Sequence, residues 1–214
     1  MPSRTSPRRR ILWIATSNPG KTREFRTLLG AHFVVRDLHS FPSLPEIRET
    51  GRTFEANAKI KALALSRALP GKLILADDSG LVVPALGGRP GVRSARFSGP
   101  QATNESNRTK LLWVMRKLTG SARRAYFQVT LVLAKDGSVC GVKHGRVWGR
   151  ITHLNQGSGG FGYDPIFRPK GFARTFGQLS PQTKRRFSHR AQATRGVMKL
   201  LSRSKDHSAA NNRI

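Results

Sequence analysis

The chain has 214 residues, of which 37% are hydrophobic, and its 39 Lys and Arg against 11 Asp and Glu give a net charge of +28 at pH 7. This length suffices for one substantial domain, and no apolar run approaches the roughly 18 residues that a membrane span requires. The single cysteine, Cys140, excludes an internal disulfide and a multi-cysteine zinc site. We therefore expect a cytoplasmic protein that does not associate with membranes.

The positive charge is expected to attract polyanions, which include nucleic acids, membrane surfaces and small phosphorylated molecules. Composition alone does not choose among these partners. The basic residues run through every segment, with a cluster at residues 8–10, whereas a nucleic-acid-binding tail is usually a block of like charge. Nonspecific nucleic-acid binding and a generally basic surface therefore both remain open. Residues 1–10 are interpreted as a basic, disordered arm rather than a transit peptide.

In the first half of the chain, short apolar runs alternate with segments whose apolar residues recur at helical spacing. Thr53 is a suitable helix cap, and Pro70-Gly71 ends that helix. The predicted elements are a strand at 11–15, a helix at 21–29, a strand at 33–35, a Pro-bearing loop at 40–51, a helix from Thr53 to about Leu69, a strand at 73–76 and a strand at 81–83 that pairs beside it.

In the second half, Asp136-Gly137 lies between two apolar runs, which is a strong hairpin signal. The predicted elements are a Gly/Pro-rich loop at 87–99, a helix near 103–118, hairpin strands at 125–134 and 139–147, and a final helix from Ser188 with Ala193, Val197, Leu200 and Leu201 on one face. Strands mixed with helices around one hairpin predict an α/β fold with a mixed sheet. We expect a single domain over residues 11–201 and a polar, frayed tail over 202–214.

The first candidate site is the loop between the first strand and the first helix. It reads T-S-N-P-G-K and comprises Thr16, Ser17, Asn18, Pro19, Gly20 and Lys21. Backbone N–H groups at a helix start, together with the Lys21 ammonium, suit a triphosphate. The loop matches neither the Walker nor the dinucleotide-binding pattern, so an ordinary turn with a capping Asn is the alternative.

Adjacent carboxylates and a hydroxyl form the second candidate site, Asp77-Asp78-Ser79. These hard oxygen ligands suit a magnesium ion (Mg2+) that bridges phosphate oxygens. We expect them at the C-terminal end of their strand, where ligands of open α/β sheets usually bind. A solvated turn is the alternative. Glu46, Glu49 and Glu55 precede this strand and are further candidate acids, although Glu55 is explained by the dipole of the helix that Thr53 caps.

Two later segments offer groups that suit a nucleobase. Phe161, Gly162, Tyr163 and Asp164 follow a glycine run, and aromatic rings beside a carboxylate on a flexible loop could stack on a base and read its edge. A packed aromatic turn is the alternative. Lys184, His189 and Arg190 near the start of the last helix supply donors for a purine carbonyl or a phosphate.

The order of these motifs resembles that of the inosine triphosphate pyrophosphatase family, also described as dITP/XTP diphosphatases. The matching motifs are A-T-S-N-P-G-K-x-x-E, E-T-G-x-T-F-x-x-N-A, A-D-D-S-G-L, L-G-G-x-P-G-V-x-S-A-R-F-S-G, F-G-Y-D-P-I-F and S-H-R-A, spread over residues 11–201. The resemblance implies an elongated α/β fold with a central mixed sheet, two lobes flanking a nucleotide-binding cleft, and a homodimer. It also implies magnesium-dependent hydrolysis of ITP, dITP and XTP to the monophosphate and pyrophosphate.

The resemblance also implies roles for residues at the matching positions. Residues 16–21 would hold the triphosphate, Asp78 would be the general base and a metal ligand, and Ser79 would contact substrate. Asp77 would have a supporting role. The base pocket would be formed by Phe161, Gly162, Tyr163 and Asp164 and completed by Lys184, His189 and Arg190.

This chain departs from the family pattern at three positions. Where the family commonly has two acids before Thr50-Gly51, it has Arg48-Glu49, so a metal ligand aligned with Arg48 would be lost. Glu49 or Glu46 would then substitute, and we assign Glu49. Ala56 replaces a Glu that could close a capping box with Thr53, at an expected cost of about 1 kcal/mol. Gln178 also stands where an acid is common.

Two other functions remain open from the sequence. One is a related pyrophosphatase with a different base specificity, such as a modified pyrimidine. The other is a nucleic-acid-binding protein that retains this scaffold, which the charge of +28 and the departures at Arg48 and Ala56 would favour.

Overall fold

The computed structural model describes the backbone of residues 9–40 and 47–210, and side chains as far as Ser202. Residues 1–8 of the expected arm, residues 211–214 of the expected tail and the candidate acid Glu46 lie outside these ranges. Within them, no helix is both long and apolar enough to cross a bilayer.

Helices and strands alternate along the described chain, as the sequence predicts. The strands are β1 (Arg10–Ala15), β2 (Phe33–Asp37), β3 (Ile74–Val82), β4 (Arg124–Lys135), β5 (Ser138–Ile151) and β6 (Phe167–Pro169). The helices are α1 (Pro19–Leu29), α2 (Phe54–Ala68), α3 (Asn104–Val114), α4 (Pro181–Phe187) and α5 (His189–Ala210). The last helix therefore continues beyond Ser202.

The described strands form one six-stranded sheet in the order β2-β1-β3-β4-β5-β6. β1 is parallel to both β2 and β3, whereas β3–β4, β4–β5 and β5–β6 are antiparallel pairs. The predicted α/β fold with a central mixed sheet is confirmed. The predicted hairpin is also present, and Asp136 and Gly137 at its turn have φ of 49° and 74°, a left-handed conformation that Asp and Gly tolerate well.

The path of β3 differs from the prediction. Residues 73–76 and 81–83 were expected to form two strands, but a single strand runs from Ile74 to Val82, and all nine of its residues pair with β4. Gly80 lies within the strand because the backbone of residues 91–94 packs closely against it. A Cβ at Gly80 would lie 2.5 Å from the carbonyl oxygen of Gly91. Asp77, Asp78 and Ser79 are therefore in the middle of β3, and the expectation that they follow its end is wrong.

The sheet has an opening beside residues 77–79 because β1 ends there, and not because β3 ends. β1 pairs with β3 as far as Ala15, opposite Ala76, and then leaves the sheet. Within the described ranges, no strand lies beside the β1-facing edge of β3 from Asp77 onwards, apart from an isolated bridge between Val82 and Pro90. Since β1 and β3 are parallel, the opening lies at the carboxyl end of β1, the usual position of ligand sites in such sheets.

Three apolar clusters hold the helices against the sheet around this opening. One lies between α1, α5 and one face of β1–β3–β4, and the second lies between α2 and the opposite face. The third surrounds the far end of β3 and includes α3 and β6. Residues 77–79 therefore lie where the first two clusters meet the third.

Two short elements were not predicted. β6 has three residues and pairs at the edge of β5, where its Pro169 is tolerated because an edge strand needs fewer backbone donors. α4 begins after Ser180, whose hydroxyl accepts from the backbone N–H of Thr183. The helix predicted from Ser188 has His189 as its first residue, and Ser188 caps it, since its hydroxyl accepts from the backbone N–H of Ala191 at 3.2 Å. Ser188 also ends α4.

A buried arginine joins the C-terminal end of α3 to β5. Arg123 is 1% exposed, and its guanidinium donates to the carbonyl oxygens of Met115, Leu118, Ile151 and Thr152 at 2.6–3.2 Å. We expect Arg123→Met to lower the free energy of unfolding by about 3 kcal/mol, because it leaves several buried carbonyls without donors.

This expectation can be checked by urea unfolding followed by circular dichroism. Arg124→Met is the matched control, since Arg124 is the next residue and is exposed, and it should change the unfolding free energy by less than about 0.5 kcal/mol. Equal effects of the two substitutions would contradict the role of Arg123.

Candidate functional site

The opening in the sheet forms a cleft of about 670 Å3. Its described lining includes the predicted site residues other than Pro19, Gly20 and the supporting acid Asp77. The predicted residues that line it are Thr16, Ser17, Asn18, Lys21, Glu49, Asp78, Ser79, Phe161, Gly162, Tyr163, Asp164, Lys184, His189 and Arg190. The fold therefore brings together residues that are up to 174 positions apart in the chain (16 to 190).

The loop at residues 16–21 leaves β1 and starts α1. Asn18 caps the helix, since its Oδ1 accepts from the backbone N–H groups of Gly20 at 2.9 Å and Lys21 at 3.2 Å. The N–H of Asn18 in turn donates to the Thr16 hydroxyl. These N–H groups already have partners within the loop, and the charged side chain that the loop places at the cleft is that of Lys21.

The two adjacent carboxylates project to opposite faces of the sheet, because successive side chains of a strand alternate. Asp77 lies on the face covered by α1 and α5. Asp78 lies on the face covered by α2. The pair therefore does not form one bidentate cluster, and each acid has its own set of partners.

Asp77 is fully buried and bound by cations. Arg190 Nε donates to Asp77 Oδ2 at 2.8 Å, and Lys21 Nζ forms an ion pair with Oδ1. Ser79 Oγ donates to the same carboxylate at 2.8 Å. Burial opposes ionisation, but Arg190 and then Lys21 outweigh it and hold the pKa of Asp77 far below its usual value. Asp77 is therefore a permanent anion that positions Lys21 and Arg190.

The ion pairs continue away from Asp77 as a chain of alternating charges, which we call the buried ion chain. It runs Lys21–Asp77–Arg190–Glu24–Lys184–Asp164. Its three cations and three anions balance. Burial alone would raise the pKa of Glu24, but Arg190 and Lys184 outweigh it and lower the pKa to about 2. The buried ion chain connects β3, α1, α4, α5 and the loop at 161–164.

Asp78 has a different environment from its neighbour. It is 5% exposed, and Lys61 of α2 lies 3.8 Å from its Oδ1. Its Oδ2 has no hydrogen-bond partner among the described residues. Burial raises the pKa of Asp78 to about 6, against the opposing effect of Lys61 and Lys21. This carboxylate is therefore more basic than an ordinary one, and its residue lines the cleft.

Glu49 lies on the same side of the cleft. Lys61 Nζ binds Glu49 Oε1 at 3.0 Å and the carbonyl oxygen of Asp77 at 2.7 Å. Arg48 is exposed and does not line the cleft. Of the neighbouring pair, the structure thus places Glu49 beside Asp78. Glu55 pairs instead with Lys59 at 2.6 Å, in keeping with its interpretation as a structural acid of the first helical turn.

The described residues contain no group of three or more His, Cys, Asp or Glu side chains with metal-binding geometry. Magnesium, however, is commonly bound through one or two carboxylates together with substrate phosphates. The unpartnered Oδ2 of Asp78, with Glu49 near by, fits this type of site. The role of both acids as ligands stays a prediction.

The loop at 161–164 is anchored on both sides, so the expectation of a flexible loop is wrong. Tyr163 is 4% exposed, and its hydroxyl donates to the Ser94 carbonyl at 2.9 Å. Asp164 Oδ2 accepts from the backbone N–H of Phe161 at 2.8 Å and from Lys184 at 2.6 Å. Tyr163 is thus mainly a core residue. Phe161 is the ring of this loop that remains partly exposed, over Lys184 and Arg190.

His189 is buried at the start of α5, where its ring stacks on Phe127 with 4.9 Å between centroids. Burial and then the neighbouring Arg190 lower the pKa of His189 well below its usual value, so the ring is neutral. Its Nδ1 has no hydrogen-bond partner in the described residues. Arg190, in contrast, already donates to Asp77, Glu24 and Ser79.

Sequence reasoning assigned no role to two residues of the site, Lys61, which lines the cleft, and Glu24, which belongs to the buried ion chain. Lys61 lies four residues after Asn57 and one turn before Leu65, on the buried face of α2. An ionisable residue on an apolar helix face was the available signal. Glu24 is the final acid of the A-T-S-N-P-G-K-x-x-E motif, but its partners are 160 and 166 residues away in sequence. No local pattern could identify them.

The fold is that of solved Ham1 proteins. The structure of the Staphylococcus aureus Ham1 protein matches with a TM-score of 0.79 at 36% identity and covers 91% of this chain and 100% of that one. A HAM1 protein from Coxiella burnetii matches with a TM-score of 0.80 at 36% identity, over 91% and 99% of the two chains. The Ham1 family model matches residues 12–200, and this chain belongs to the Ham1 family. The expected family resemblance is confirmed.

Curated relatives carry a more specific name. A dITP/XTP pyrophosphatase of Streptococcus pyogenes serotype M3 is 47% identical over 193 residues, which are 89% of this chain and 58% of the relative. One from Streptococcus thermophilus is also 47% identical, over 89% of this chain and 59% of the relative. The chain therefore spans less than two thirds of the length of these relatives.

The low pKa of Glu24 predicts acid-dependent stability. A carboxylate whose pKa falls from 4.5 to about 2 on folding stabilises the native state above pH 4.5 and loses this effect as the pH falls towards 2. Glu24→Gln should therefore lower the unfolding free energy by up to about 3 kcal/mol near pH 7. The difference from wild type should shrink between pH 4.5 and pH 3.

Urea unfolding at a series of pH values checks this dependence. Glu105→Gln is the control, because Glu105 is an exposed acid in the first turn of α3 and outside the buried ion chain. A destabilisation by Glu24→Gln that is the same at all these pH values would mean that Glu24 acts through packing and not through its charge.

Proposed function

We propose that the chain hydrolyses the non-standard purine nucleoside triphosphates ITP, dITP and XTP to the nucleoside monophosphate and pyrophosphate. The observation that carries the proposal is the basic carboxylate of Asp78 in a cleft that also holds Lys21 and Lys61. Membership of the Ham1 family and the names of the streptococcal relatives support the same reaction.

The proposed reaction is attack by water on the α-phosphorus. A new bond forms from the water oxygen to the α-phosphorus, and the bond from that phosphorus to the oxygen of the β-phosphate breaks. The Asp78 carboxylate takes the proton of the attacking water as general base. Its raised pKa makes it a stronger base than an exposed Asp, while it remains ionised at neutral pH.

Lysine side chains stabilise the negative charge that builds up on the phosphates. Lys21 at the start of α1 would contact the triphosphate, held in place by Asp77. Lys61 lies between Glu49 and Asp78. Its positive charge there reduces the electrostatic repulsion between these two carboxylates and a triphosphate in the same cleft. The positive end of α1 adds to this field, since Thr16, Ser17 and Asn18 line the cleft beside it.

Magnesium is proposed as the cofactor, held by Asp78 and Glu49. When bound, it would neutralise phosphate charge and polarise the bond that is cleaved. The unpartnered Asp78 Oδ2 supports this assignment. Ser79, whose hydroxyl is fixed by Asp77 and Arg190, is placed to orient substrate beside this acid.

The base is proposed to bind near Phe161, Lys184 and His189. Phe161 offers the partly exposed ring for stacking. Lys184 is a permanent cation, because although burial lowers its pKa, Asp164 and Glu24 raise it further. A donor from Lys184 or the neutral His189 would bind a purine 6-oxo group and would be left unpaired by the 6-amino group of adenine. Arg190 is expected to act mainly by holding this pocket together.

The family resemblance also supports a homodimer and a cytoplasmic location, and we propose both. Sedimentation velocity of the purified chain tests the first. Fractionation of the producing cells tests the second.

A nucleotide panel tests the proposed substrates directly. With Mg2+ present, we expect pyrophosphate release from ITP, dITP and XTP to exceed that from ATP by at least about 100-fold in kcat/KM, since a buried donor left unpaired costs about 3 kcal/mol. Chelation with EDTA should abolish release. Faster turnover of UTP or dTTP than of ITP would replace this proposal with a pyrimidine-directed enzyme.

The opposite environments of the two adjacent acids predict opposite outcomes for their amide variants. Asp78→Asn should lower kcat for ITP by roughly 100-fold or more, the usual contribution of a general base, with little loss of stability. Asp77→Asn should instead destabilise the fold by about 3 kcal/mol, because it leaves Arg190 and Lys21 short of a buried carboxylate. Steady-state kinetics and urea unfolding of both variants distinguish the roles. An active, stable Asp78→Asn enzyme would refute the assigned base.

A further inference from the structure

The face of the sheet opposite His189 carries exposed aromatic rings among arginines. β4 and β5 pair in a register that places Tyr126 opposite Trp148 and Arg124 opposite Arg150. Arg150 in turn pairs with Arg168 of β6. Paired residues project from the same face of a sheet, so these side chains form one surface. We call it the aromatic–arginine face, and it consists of Arg124, Tyr126, Arg146, Trp148, Arg150 and Arg168.

The rings of this face are ordered and accessible. Trp148 is 44% exposed, although it is one of the largest apolar side chains of the protein. Its ring lies 4.5 Å from that of Tyr126, and the Arg146 guanidinium lies 4.4 Å from the Tyr126 ring on the same surface. The helix α2 packs on this side of β4 at Val132 and Ala134, and it leaves Trp148 exposed and Tyr126 half-buried.

Positive charge surrounds the rings on both sides. One depression beside Trp148 is lined by Arg124, Arg150, Arg168 and Lys170. A second, which shares Tyr126, is lined by Arg52, Lys59, Arg89 and Arg93. Among the described residues that line the two depressions, the one acid is Glu55, and it is paired with Lys59 at 2.6 Å. The surface is therefore strongly and locally basic.

The residues of the cleft do not account for the net positive charge of the protein. Five of the 11 acids of the chain, namely Glu24, Glu49, Asp77, Asp78 and Asp164, lie in the cleft or its ion pairs. They balance the cleft cations almost one for one. The excess of positive charge consequently lies elsewhere on the protein. There it has no role in binding a triphosphate in the cleft.

We propose that the aromatic–arginine face binds single-stranded nucleic acid. Bases stack on Trp148 and Tyr126, and the arginines contact successive phosphates. Stacking requires unpaired bases, so a single strand is bound in preference to a duplex. A second copy of this chain is a poorer occupant, because a twofold interface through this face would place its arginines against one another.

Fluorescence anisotropy with fluorescein-labelled dT20 and rU20 tests the proposal at several salt concentrations. Wild type should bind both, and a 20-base-pair duplex more weakly. Trp148→Ala should weaken binding by roughly 5- to 100-fold, the range for loss of one stacked base. Trp148→Phe should retain most of the affinity, because the aromatic face is kept.

The chain offers a matched control for this substitution. Trp113 of α3 is 62% exposed, and Arg116 lies 4.3 Å from its ring, so it is also an accessible Trp with an arginine partner. Trp113→Ala should leave the affinity unchanged. Arg150→Gln should lower the slope of log K against log salt by about 0.7, the value for one phosphate contact of a single strand, whereas Arg116→Gln should not.

Two further measurements separate this surface from the catalytic cleft and from self-association. Asp78→Asn should bind dT20 as wild type does, and Trp148→Ala should hydrolyse ITP at the wild-type rate. Unchanged affinity of Trp148→Ala, or stronger binding of the duplex, would overturn the proposal. If Trp148→Ala instead changes the sedimentation coefficient without changing the affinity for dT20, this face is a dimer interface.

Discussion

The contact between Asp77 and Arg190 is the constraint on which the site depends. Both side chains are buried, at 0% and 1% exposure, and an unpaired charge there would be severely destabilising. Pairing them fixes α5 against the middle of β3. Each partner then binds a second ion: Asp77 holds Lys21, and Arg190 holds Glu24. Each charge of the buried ion chain is neutralised by the next one. The elements that form one wall of the cleft are therefore positioned together.

Strand geometry gives the two adjacent acids, Asp77 and Asp78, different chemical environments. Asp77 and Asp78 are adjacent, yet the pleat directs them to opposite faces of the sheet, and only Asp77 joins the buried ion chain. Asp78 is left with Lys61 at 3.8 Å and a free oxygen, so burial raises its pKa while its neighbour's falls. One acid is thus structural and the other available for proton transfer, although their sequence contexts are nearly identical.

The sequence was informative where the determining contacts are local. Caps at Asn18 and Thr53 and the turn at Asp136-Gly137 depend on residues two to four positions apart, and all three are present. The continuity of β3 was missed because it depends on residues 91–94, which pack on Gly80. The ordered motifs indicated which residues share a cleft. They could not indicate that Asp77 and Asp78 face apart, since this follows from the continuation of β3 through both residues.

The charges of the whole protein are also divided between two regions, the nearly neutral cleft and the basic surface. Acids are concentrated where burial demands them: the buried ion chain needs three carboxylates to neutralise its three cations, and Glu49 and Asp78 offset Lys61. A cleft that is nearly neutral by itself can accept a triphosphate through local cations, without a strongly positive surface. The net charge of +28 is therefore a property of the remaining surface. Its effects on solubility and on encounters with polyanions are expected to be independent of the chemistry in the cleft.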